Sequence, residues 1–316
     1  MPRPDRTFPP RSGATALARL QGASKRYGAV TALDGVDLEV HAGEVLAVLG
    51  GNGAGKTTAL GLISGRFAPD AGSAELLCGD PLEARQRRGI GVMLQEATLP
   101  ESLRVAELVR LQASYYPHPR SLTETLALAG LADVAQRRYA ALSGGQQRRV
   151  QFALAICGRA PLVLVDEPST GLDVEARRGL WDVVRELRRE GTGIVLTTHY
   201  LEEADALADR IVVLAAGRVL AQGAPHEIKS LAAGRRLRAR TRLGLDELQA
   251  WADPAACELP DGRIELRSRD AEAVLRRWLT LDASLCELEV APLSLEEAFV
   301  SLTRSSVTTS TQELAA

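Results

Sequence analysis

The chain has 316 residues and no long hydrophobic run. Its apolar stretches, such as 162–165 and 211–216, are far shorter than the roughly twenty residues that a helix needs to cross a bilayer. The first fifteen residues carry four prolines and several arginines and lack the apolar segment of a secretory signal. We therefore predict a disordered tail at 1–17, and we expect any membrane role to be peripheral.

Cysteine is scarce, and neither sign of charge dominates. Cys78, Cys157, Cys257 and Cys286 stand far apart, which excludes a CxxC pair or a zinc-ligand spacing and fits a reducing cytosol. A net charge of −2 and a pI near 6.2 give no electrostatic reason to expect nucleic acid as a partner. Because 46% of the residues are apolar, the chain can fill a large domain and a smaller one.

Strand-like and helix-like patterns alternate over most of the chain. The predicted strands lie at 18–21, 36–40, 44–49, 91–94, 162–165 and 194–198, and the predicted helices at 104–115 and 122–129. The run 162–165 is continuously aliphatic, as expected of a parallel strand that is buried on both faces. This order predicts a strand-rich lobe and a doubly wound α/β core with a helical insertion.

The strongest local pattern is a phosphate-loop motif of the form GxxxxGK[ST], directly after the predicted strand 44–49. It consists of Gly50, Gly51, Asn52, Gly53, Ala54, Gly55, Lys56, Thr57 and Thr58. Such glycines let backbone amides converge on phosphate oxygens, while Lys56 adds a positive charge and Thr57 offers its hydroxyl to Mg²⁺. A glycine-rich turn alone would not need the lysine and the threonine, so the motif predicts nucleotide binding.

An acidic pair follows the predicted strand 162–165. Asp166 and Glu167 would stand at the edge where α/β sheets hold ligands, with Asp166 placed to hold Mg²⁺ and Glu167 to polarise an attacking water. A solvated acidic turn that caps the next helix explains the same two residues when they are considered alone. The phosphate loop favours the catalytic interpretation.

The run 142–146 (Leu-Ser-Gly-Gly-Gln) is also ambiguous in isolation. The hydroxyl of Ser143 and the amides of Gly144 and Gly145 are suited to an anion, and a helix beginning there would add partial positive charge. A serine followed by glycines and Gln146 is nevertheless more often a turn and a helix cap. The other motifs of the chain are needed to distinguish an anion site from a helix cap.

In this order and spacing, the phosphate loop, the run 142–146 and the acidic pair resemble the ATP-binding cassette (ABC) ATPases. The resemblance covers about residues 18–225. It implies a P-loop NTPase core with an antiparallel β lobe and a helical subdomain, which bind ATP and Mg²⁺. The visible departure is Gly51, where many members of the family carry proline.

The resemblance implies roles for four further residues. Tyr27 matches the aromatic residue that stacks on adenine, and Gln95 matches the glutamine that reaches Mg²⁺ and the attacking water. His199 matches the histidine that contacts the γ-phosphate, and Asp173 matches a loop that touches the opposite subunit. Without the family, these would be a packing tyrosine, a surface glutamine, a structural histidine and a helix N-cap.

The family mechanism also implies an assembly. Two cassettes pack head to tail, so that each ATP lies between the phosphate loop of one copy and Ser143, Gly144, Gly145 and Gln146 of the other. Because the chain carries a single set of motifs and no membrane span, we expect a homodimer with a separate permease, peripheral on the cytoplasmic face of the plasma membrane. The residues 96–100 and the helices beyond them match the region that receives such a permease.

We assign 18–223 to the ATPase domain and 224–316 to a small α+β domain with a βαββαβ order. Its predicted strands lie at 236–240, 264–267 and 286–290, its helices at 245–251 and 271–279, and a hairpin turn at 260–262. The closing run 294–299 has a capping-box pattern and resembles the end of drug-export and ABC-2-type ATPase subunits. Trp251 and Trp278 fit core positions of the two helices.

Two questions stay open at this level. The basic run 235–242 is compatible with binding of nucleic acid or anionic lipid. We favour a second interpretation, in which its alternating arginines form a solvated strand face that discourages edge pairing. An exporter subunit competes with a non-transport cassette protein of translation or DNA repair, which usually shows tandem cassettes, zinc-binding cysteines or a long coiled coil. A regulatory binding module is the third possibility.

Overall fold

The computed structural model describes residues 16–95, 97–231, 234–300 and 302–303. These residues divide into two compact units with the boundary between Val219 and Leu220, which falls within a strand at 218–223. Among the helices of these described residues, none is long and apolar enough to cross a membrane.

The first unit alternates strands and helices. Its strands are β1 (Ala16–Tyr27), β2 (Val30–His41), β3 (Val45–Leu49), β4 (Ala71–Leu76), β5 (Ile90–Met93), β6 (Leu162–Asp166), β7 (Gly193–Thr198), β8 (Arg210–Ala215) and β9 (Arg218–Gly223). Its α-helices are α1 (Lys56–Ile63), α2 (Ala84–Arg87), α3 (Val105–Ala113), α4 (Leu122–Leu128), α5 (Gly144–Ile156), α6 (Val174–Arg189) and α7 (Leu201–Leu207), with 3₁₀ turns at Ala132–Val134 and Tyr139–Ala141.

Two sheets form the core of this unit. An antiparallel sheet has the order β2-β1-β4, and a six-stranded sheet has the order β5-β6-β7-β3-β8-β9. The pairings of β3 with β7 and β8, and of β6 with β5 and β7, are parallel. Every residue of β3, β6 and β7 is buried, as expected of parallel strands that are covered on both faces, and each strand contains an aliphatic run. The predicted fold class is confirmed, and the adjacent carboxyl ends of β3, β7 and β6 define one sheet edge.

A helical subdomain packs around its own apolar cluster. Residues of α3, α4 and α5 meet there, including Val105, Leu126 and Val150. Cys157 is fully buried in this cluster, and burial raises the pKa of its thiol to about 12. The cysteine therefore serves packing, and its thiol stays protonated at physiological pH.

The sequence patterns missed some strands and made the predicted strands 18–21 and 36–40 too short, because β1 and β2 each run over twelve residues. Nothing in 71–76 (Ala-Gly-Ser-Ala-Glu-Leu) signals the strand β4, because its first four residues are small and its first three are exposed. Ala16 and Leu17 fall in the predicted disordered tail but belong to β1, since Ala16 pairs with His41 and Leu17 packs against the core. The remainder of that predicted tail lies outside the described residues.

The second unit contains α8 (Pro225–Leu231), β10 (Arg235–Arg240), α9 (Leu245–Trp251), β11 (Cys257–Glu258), β12 (Ile264–Ser268), α10 (Ala271–Leu281) and β13 (Cys286–Pro292). Its antiparallel sheet has the order β11-β12-β10-β13, which confirms the predicted βαββαβ pattern. Ser294 and Glu297 form both bonds of the predicted capping box at the start of the helical residues 295–300.

The expectation that the basic run discourages edge pairing is wrong, because β10 lies inside the sheet between β12 and β13. Its arginines face acidic residues of the neighbouring strands instead. Arg238 Nε lies 2.7 Å from Glu265 Oε2, and Arg240 Nε lies 3.2 Å from Glu287 Oε1. These cross-strand pairs balance the positive charge of the run.

Candidate nucleotide-binding and catalytic site

The phosphate loop connects β3 to α1 at the carboxyl edge of the sheet. Gly55 caps α1 with a φ of 106°, and a Cβ there would lie 2.5 Å from the carbonyl oxygen of Ala32. A Cβ at Gly50 would lie 2.7 Å from the carbonyl oxygen of Leu214. Both positions therefore require glycine, whereas Gly51 faces open space and leaves the backbone accessible.

Lys56 is buried against the loop that precedes it. Its Nζ donates hydrogen bonds to the carbonyl oxygens of Gly50 (2.8 Å) and Gly51 (3.2 Å) and lies 4.0 Å from Glu167 Oε1. The loop thus holds a cation between its own carbonyls and the acidic pair.

Asp166 ends β6 beside the first turn of α1. Thr57 Oγ1 donates a hydrogen bond to Asp166 Oδ2 at 3.0 Å, and the hydroxyl of Thr197 donates to Asp166 Oδ1. Only 1% of Asp166 is exposed, and the two hydroxyl donors supply its carboxylate with hydrogen bonds in place of those lost on burial.

These oxygens fit a magnesium ion, because Mg²⁺ prefers one or two carboxylates completed by substrate phosphates and water. Thr57 and Asp166 already stand side by side at the phosphate loop. In the described part of the chain, no group of three His, Cys, Asp or Glu residues forms a metal site by itself.

Glu167 occupies a strained turn. Its φ of 49° is left-handed, a conformation that costs a non-glycine residue about 1–2 kcal/mol. Its N–H donates to the carbonyl oxygen of Thr197 at 3.0 Å, and its carboxylate meets His199 Nδ1 at 3.1 Å and Thr170 Oγ1 at 3.4 Å. The turn thus places a nearly buried carboxylate beside Lys56.

Gln95 follows β5 and shares a small cavity with the start of α5. The cavity has a volume of about 220 Å³ and is lined by Gln95, Gly144, Gln147, Arg148, Gln151 and Thr170. The structure therefore brings the predicted magnesium and water ligand near the helix that begins at the run 142–146.

Ser143 is the N-cap of α5 and forms a capping box with Gln146. Ser143 Oγ accepts from the N–H of Gln146 at 3.3 Å, and Gln146 Oε1 accepts from the N–H of Ser143 at 3.1 Å. The cap uses the serine hydroxyl as an acceptor, so its proton stays free for another partner. The two interpretations of the run are therefore compatible.

Asp173 and Tyr27 lie on the surface. Asp173 caps α6, with its Oδ1 accepting from the N–H of Ala176 at 2.8 Å, and it is exposed. Tyr27 is 49% exposed and meets Phe67 edge to face, with ring centroids 6.0 Å apart. Phe67 in turn lies against Gly61 of α1, so the tyrosine stands beside the helix of the phosphate loop.

The sequence patterns missed three buried polar residues around this site. Thr197 bonds to both members of the acidic pair, Arg148 donates to backbone carbonyls, and Glu203 is fully buried on α7. Burial lowers the pKa of Arg148, while the charges of Asp166 and Glu167 act in the opposite direction. Nothing in the local sequence reveals these contacts, because each partner comes from a distant segment.

Glu203 provides a pH-dependent test of this packing. Its carboxylate is fully buried, Oε1 accepts from Trp181 Nε1 at 3.0 Å, and burial raises its pKa. Because the folded protein then binds more protons than the unfolded chain, the free energy of unfolding falls as pH rises from about 4.3 to the raised pKa, by about 1.4 kcal/mol for each pH unit in that interval.

Glu203→Gln keeps the acceptor for Trp181 and should flatten this dependence in denaturant titrations between pH 4.5 and 8. Glu202→Gln, at the exposed neighbouring position, should follow the wild type, and parallel curves for all three proteins would contradict the assignment.

The parallel sheet, the phosphate loop on its central strand and the acidic pair two strands away define a P-loop nucleotide-binding ATPase. A family model described as ABC transporter matches residues 33–170. Nod factor export ATP-binding protein I of Ralstonia nicotianae is 37% identical over 227 residues, which make up 69% of this chain and 70% of that protein. Daunorubicin resistance ATP-binding protein DrrA3 of Streptomyces coeruleorubidus is 41% identical over 231 residues, 71% of this chain and 73% of that protein.

A solved dimeric structure of a bacterial ABC transporter cassette is similar at a TM-score of 0.60 and 27% identity, covering 66% of this chain and 98% of its own. The chain therefore belongs to the ABC transporter family, as an ATP-binding subunit that hydrolyses ATP. The family resemblance seen in the sequence is confirmed, and transporter ATPases are favoured over non-transport cassette proteins.

Proposed function

We propose that the chain works as a head-to-tail homodimer that binds two MgATP molecules and powers export through a separate membrane permease. The relatives support export, since their names assign them to Nod factor export and daunorubicin resistance. The single set of motifs supports a dimer of identical copies. Closure of the dimer on ATP and its release after hydrolysis would drive the permease.

One half of each composite site comes from the phosphate loop. The amides of residues 50–58 and the ammonium of Lys56 bind the β- and γ-phosphates, and Tyr27 stacks on adenine, which contributes about 1–3 kcal/mol by analogy with base stacking. Thr57 and Asp166, joined by Gln95 when the nucleotide is bound, hold Mg²⁺, which supplies charge stabilisation to the phosphates.

The chemistry falls to the residues beside Lys56. Glu167 polarises the attacking water and accepts its proton, a general-base contribution of about 10²–10⁴ in rate. His199 contacts Glu167 through Nδ1, which leaves the other ring nitrogen for the γ-phosphate. The buried position of Glu167 keeps bulk water from competing with the single water that reacts.

The other half of the site comes from the second copy, and Gly144 is the observation that carries this assignment. Gly144 is the first residue of α5, and a Cβ there would meet nothing within 4 Å in its own chain. Internal packing therefore gives no reason for the missing side chain, whereas an approaching phosphate does. Ser143, Gly145 and Gln146 join Gly144 at this helix start, and Asp173 touches the same partner.

The helical subdomain offers a surface for the permease. Residues 97–100 follow Gln95, while Glu96 lies outside the described residues. On and just beyond α3, Leu111 is 49% exposed and Tyr115 is 63% exposed. Two large apolar side chains at this place suit the cytoplasmic end of a membrane subunit, which would hold the dimer on the inner face of the membrane.

Capture from detergent-solubilised membranes of the source cells tests the proposal. The tagged full chain should copurify with a multispanning membrane protein, and Leu111→Asp or Tyr115→Asp should reduce the captured amount about tenfold or more, because a buried charge without a partner opposes docking. Val30→Asp, at an equally exposed apolar position on β2, is the matched control and should capture like the wild type. Absence of any membrane protein, or equal capture by all variants, would contradict the proposal.

A further inference from the structure

Arg148 makes an unusual set of contacts for a residue on a helix. Only 8% of it is exposed, and its guanidinium donates to the backbone carbonyls of two separate loops. The acceptors are the carbonyl oxygens of Leu94 (3.1 Å), Gln95 (3.0 Å), Asp166 (2.6 Å) and Glu167 (2.5 Å). One side chain thus joins the segment after β5 to the turn after β6.

The chemistry of arginine suits this arrangement. The guanidinium is planar, always charged and carries five N–H donors in a fixed fork, so it can serve several carbonyls at once. Nη1 donates to the two carbonyl oxygens after β5, and Nη2 donates to those of Asp166, the last residue of β6, and of Glu167. A lysine offers a single nitrogen and can keep only part of this set.

The hydrogen bonds of Arg148 fix the carbonyl side of the turn at Glu167, whereas Thr197 fixes its N–H side. The N–H of Glu167 is bonded to Thr197, and its carbonyl oxygen is bonded to Arg148. With both of its peptide groups held, Glu167 keeps the left-handed conformation that directs its carboxylate. Loss of one anchor frees this peptide to rotate and carries the carboxylate away from the water.

Arg148 also lies one turn beyond the start of α5. Ser143 caps this helix and Gly144 is its first residue, so the face assigned to the partner's ATP and the anchor of Glu167 belong to one rigid element. We propose that Arg148 is a positioning residue that holds Glu167 and Gln95 of its own chain in their reactive geometry and ties them to the helix that receives the partner's nucleotide. This inference rests on the proposed function, because its readout is turnover at composite sites.

Steady-state kinetics of the full-length chain give the first test. Arg148→Gln should lower kcat about 10–100-fold with the KM for ATP within about threefold, because a misplacement near 1 Å is sufficient for a loss of this size. Arg148→Lys should retain an intermediate rate. Arg185→Gln, which removes a partly exposed arginine paired with Asp182 on α6, should match the wild type and controls for the lost charge. A raised KM with unchanged kcat, or a wild-type rate for Arg148→Gln, would overturn the proposal.

Mixed dimers, purified through two different tags, separate a role in the same chain from a role in the partner. A dimer of one Arg148→Gln copy and one Ser143→Ala copy keeps one site with a well-placed Glu167 and an intact run 142–146. It should be clearly more active than either parent, up to half the wild-type rate. A dimer of Arg148→Gln with Glu167→Gln has no site with a well-placed glutamate and should be no more active than the Arg148→Gln homodimer. The reverse pattern would show that Arg148 serves the run 142–146 and would overturn the proposal.

A third pair keeps the two proposals distinguishable. Ser143→Ala combined with Glu167→Gln should be active, because one site retains both halves. An inactive third pair would refute the head-to-tail composite site, and the assignment of Arg148 would then be decided by the kcat and KM of its single variants. Nucleotide binding by Arg148→Gln at wild-type affinity shows that the variant is folded.

Discussion

Glu167→Gln is expected to bind MgATP with near wild-type affinity, to lose ATP turnover by at least about 10²-fold, and to accumulate as an ATP-bound dimer. Glutamine has the shape of glutamate and can still contact His199 and Thr170, but it cannot take the proton of the attacking water. Phosphate release measures the loss of turnover. Size-exclusion chromatography with and without ATP measures the dimer.

The position of the carboxylate matters here more than its charge. Glu175→Gln removes an equal charge from an exposed residue in the first turn of α6 and should leave turnover and dimerisation unchanged. A wild-type rate for Glu167→Gln would refute the assignment of this residue as the base.

Ser143→Arg is expected to stop turnover and dimer formation while nucleotide still binds to the phosphate loop with an affinity within about threefold of the wild type. The arginine places bulk and positive charge at the helix start that receives the partner's phosphates, although its own chain binds ATP elsewhere. The loss of the helix cap contributes only about 1 kcal/mol to stability, which is too little to unfold the domain. Fluorescent nucleotide titration and analytical ultracentrifugation separate the two effects.

A second serine in the same subdomain supplies the matched control. Ser121 caps α4 by accepting from the N–H of Glu124 at 3.1 Å, so Ser121→Arg removes an equivalent cap. That variant should dimerise and hydrolyse ATP like the wild type. If Ser143→Arg instead abolished binding of nucleotide to the monomer, the run 142–146 would have to act within its own chain.

The parts of the site that the sequence predicted depend on residues that are neighbours in the sequence. Backbone geometry demands glycine at Gly50 and Gly55, and buried aliphatic strands precede the phosphate loop and the acidic pair, so short motifs reveal them. The roles of Arg148 and Glu203 depend on partners from other segments, and an arginine among arginines looks like a solvated helix face. Their burial is therefore visible only in the folded chain.

In the second unit too, contacts between distant segments could not be predicted from the sequence. Its helices and strands follow from periodicity, and α9 lies within the predicted bounds. The position of β10 inside the sheet does not follow, because strand order depends on which long-range pairings form. The glutamates that face its arginines are distant in sequence, so the neutralisation of the basic run could not be read from composition.

The buried thiol of Cys157 has a practical consequence for measuring motion in this protein. A maleimide reacts with the thiolate, so the cysteine in the helical cluster resists labelling while the fold is intact. Cys78, Cys257 and Cys286 are exposed. Once the two exposed cysteines of the second unit are replaced by serine, Cys78 is the natural attachment point for a single dye on the ATPase unit. Energy transfer between two such dyes would then follow opening and closing in real time.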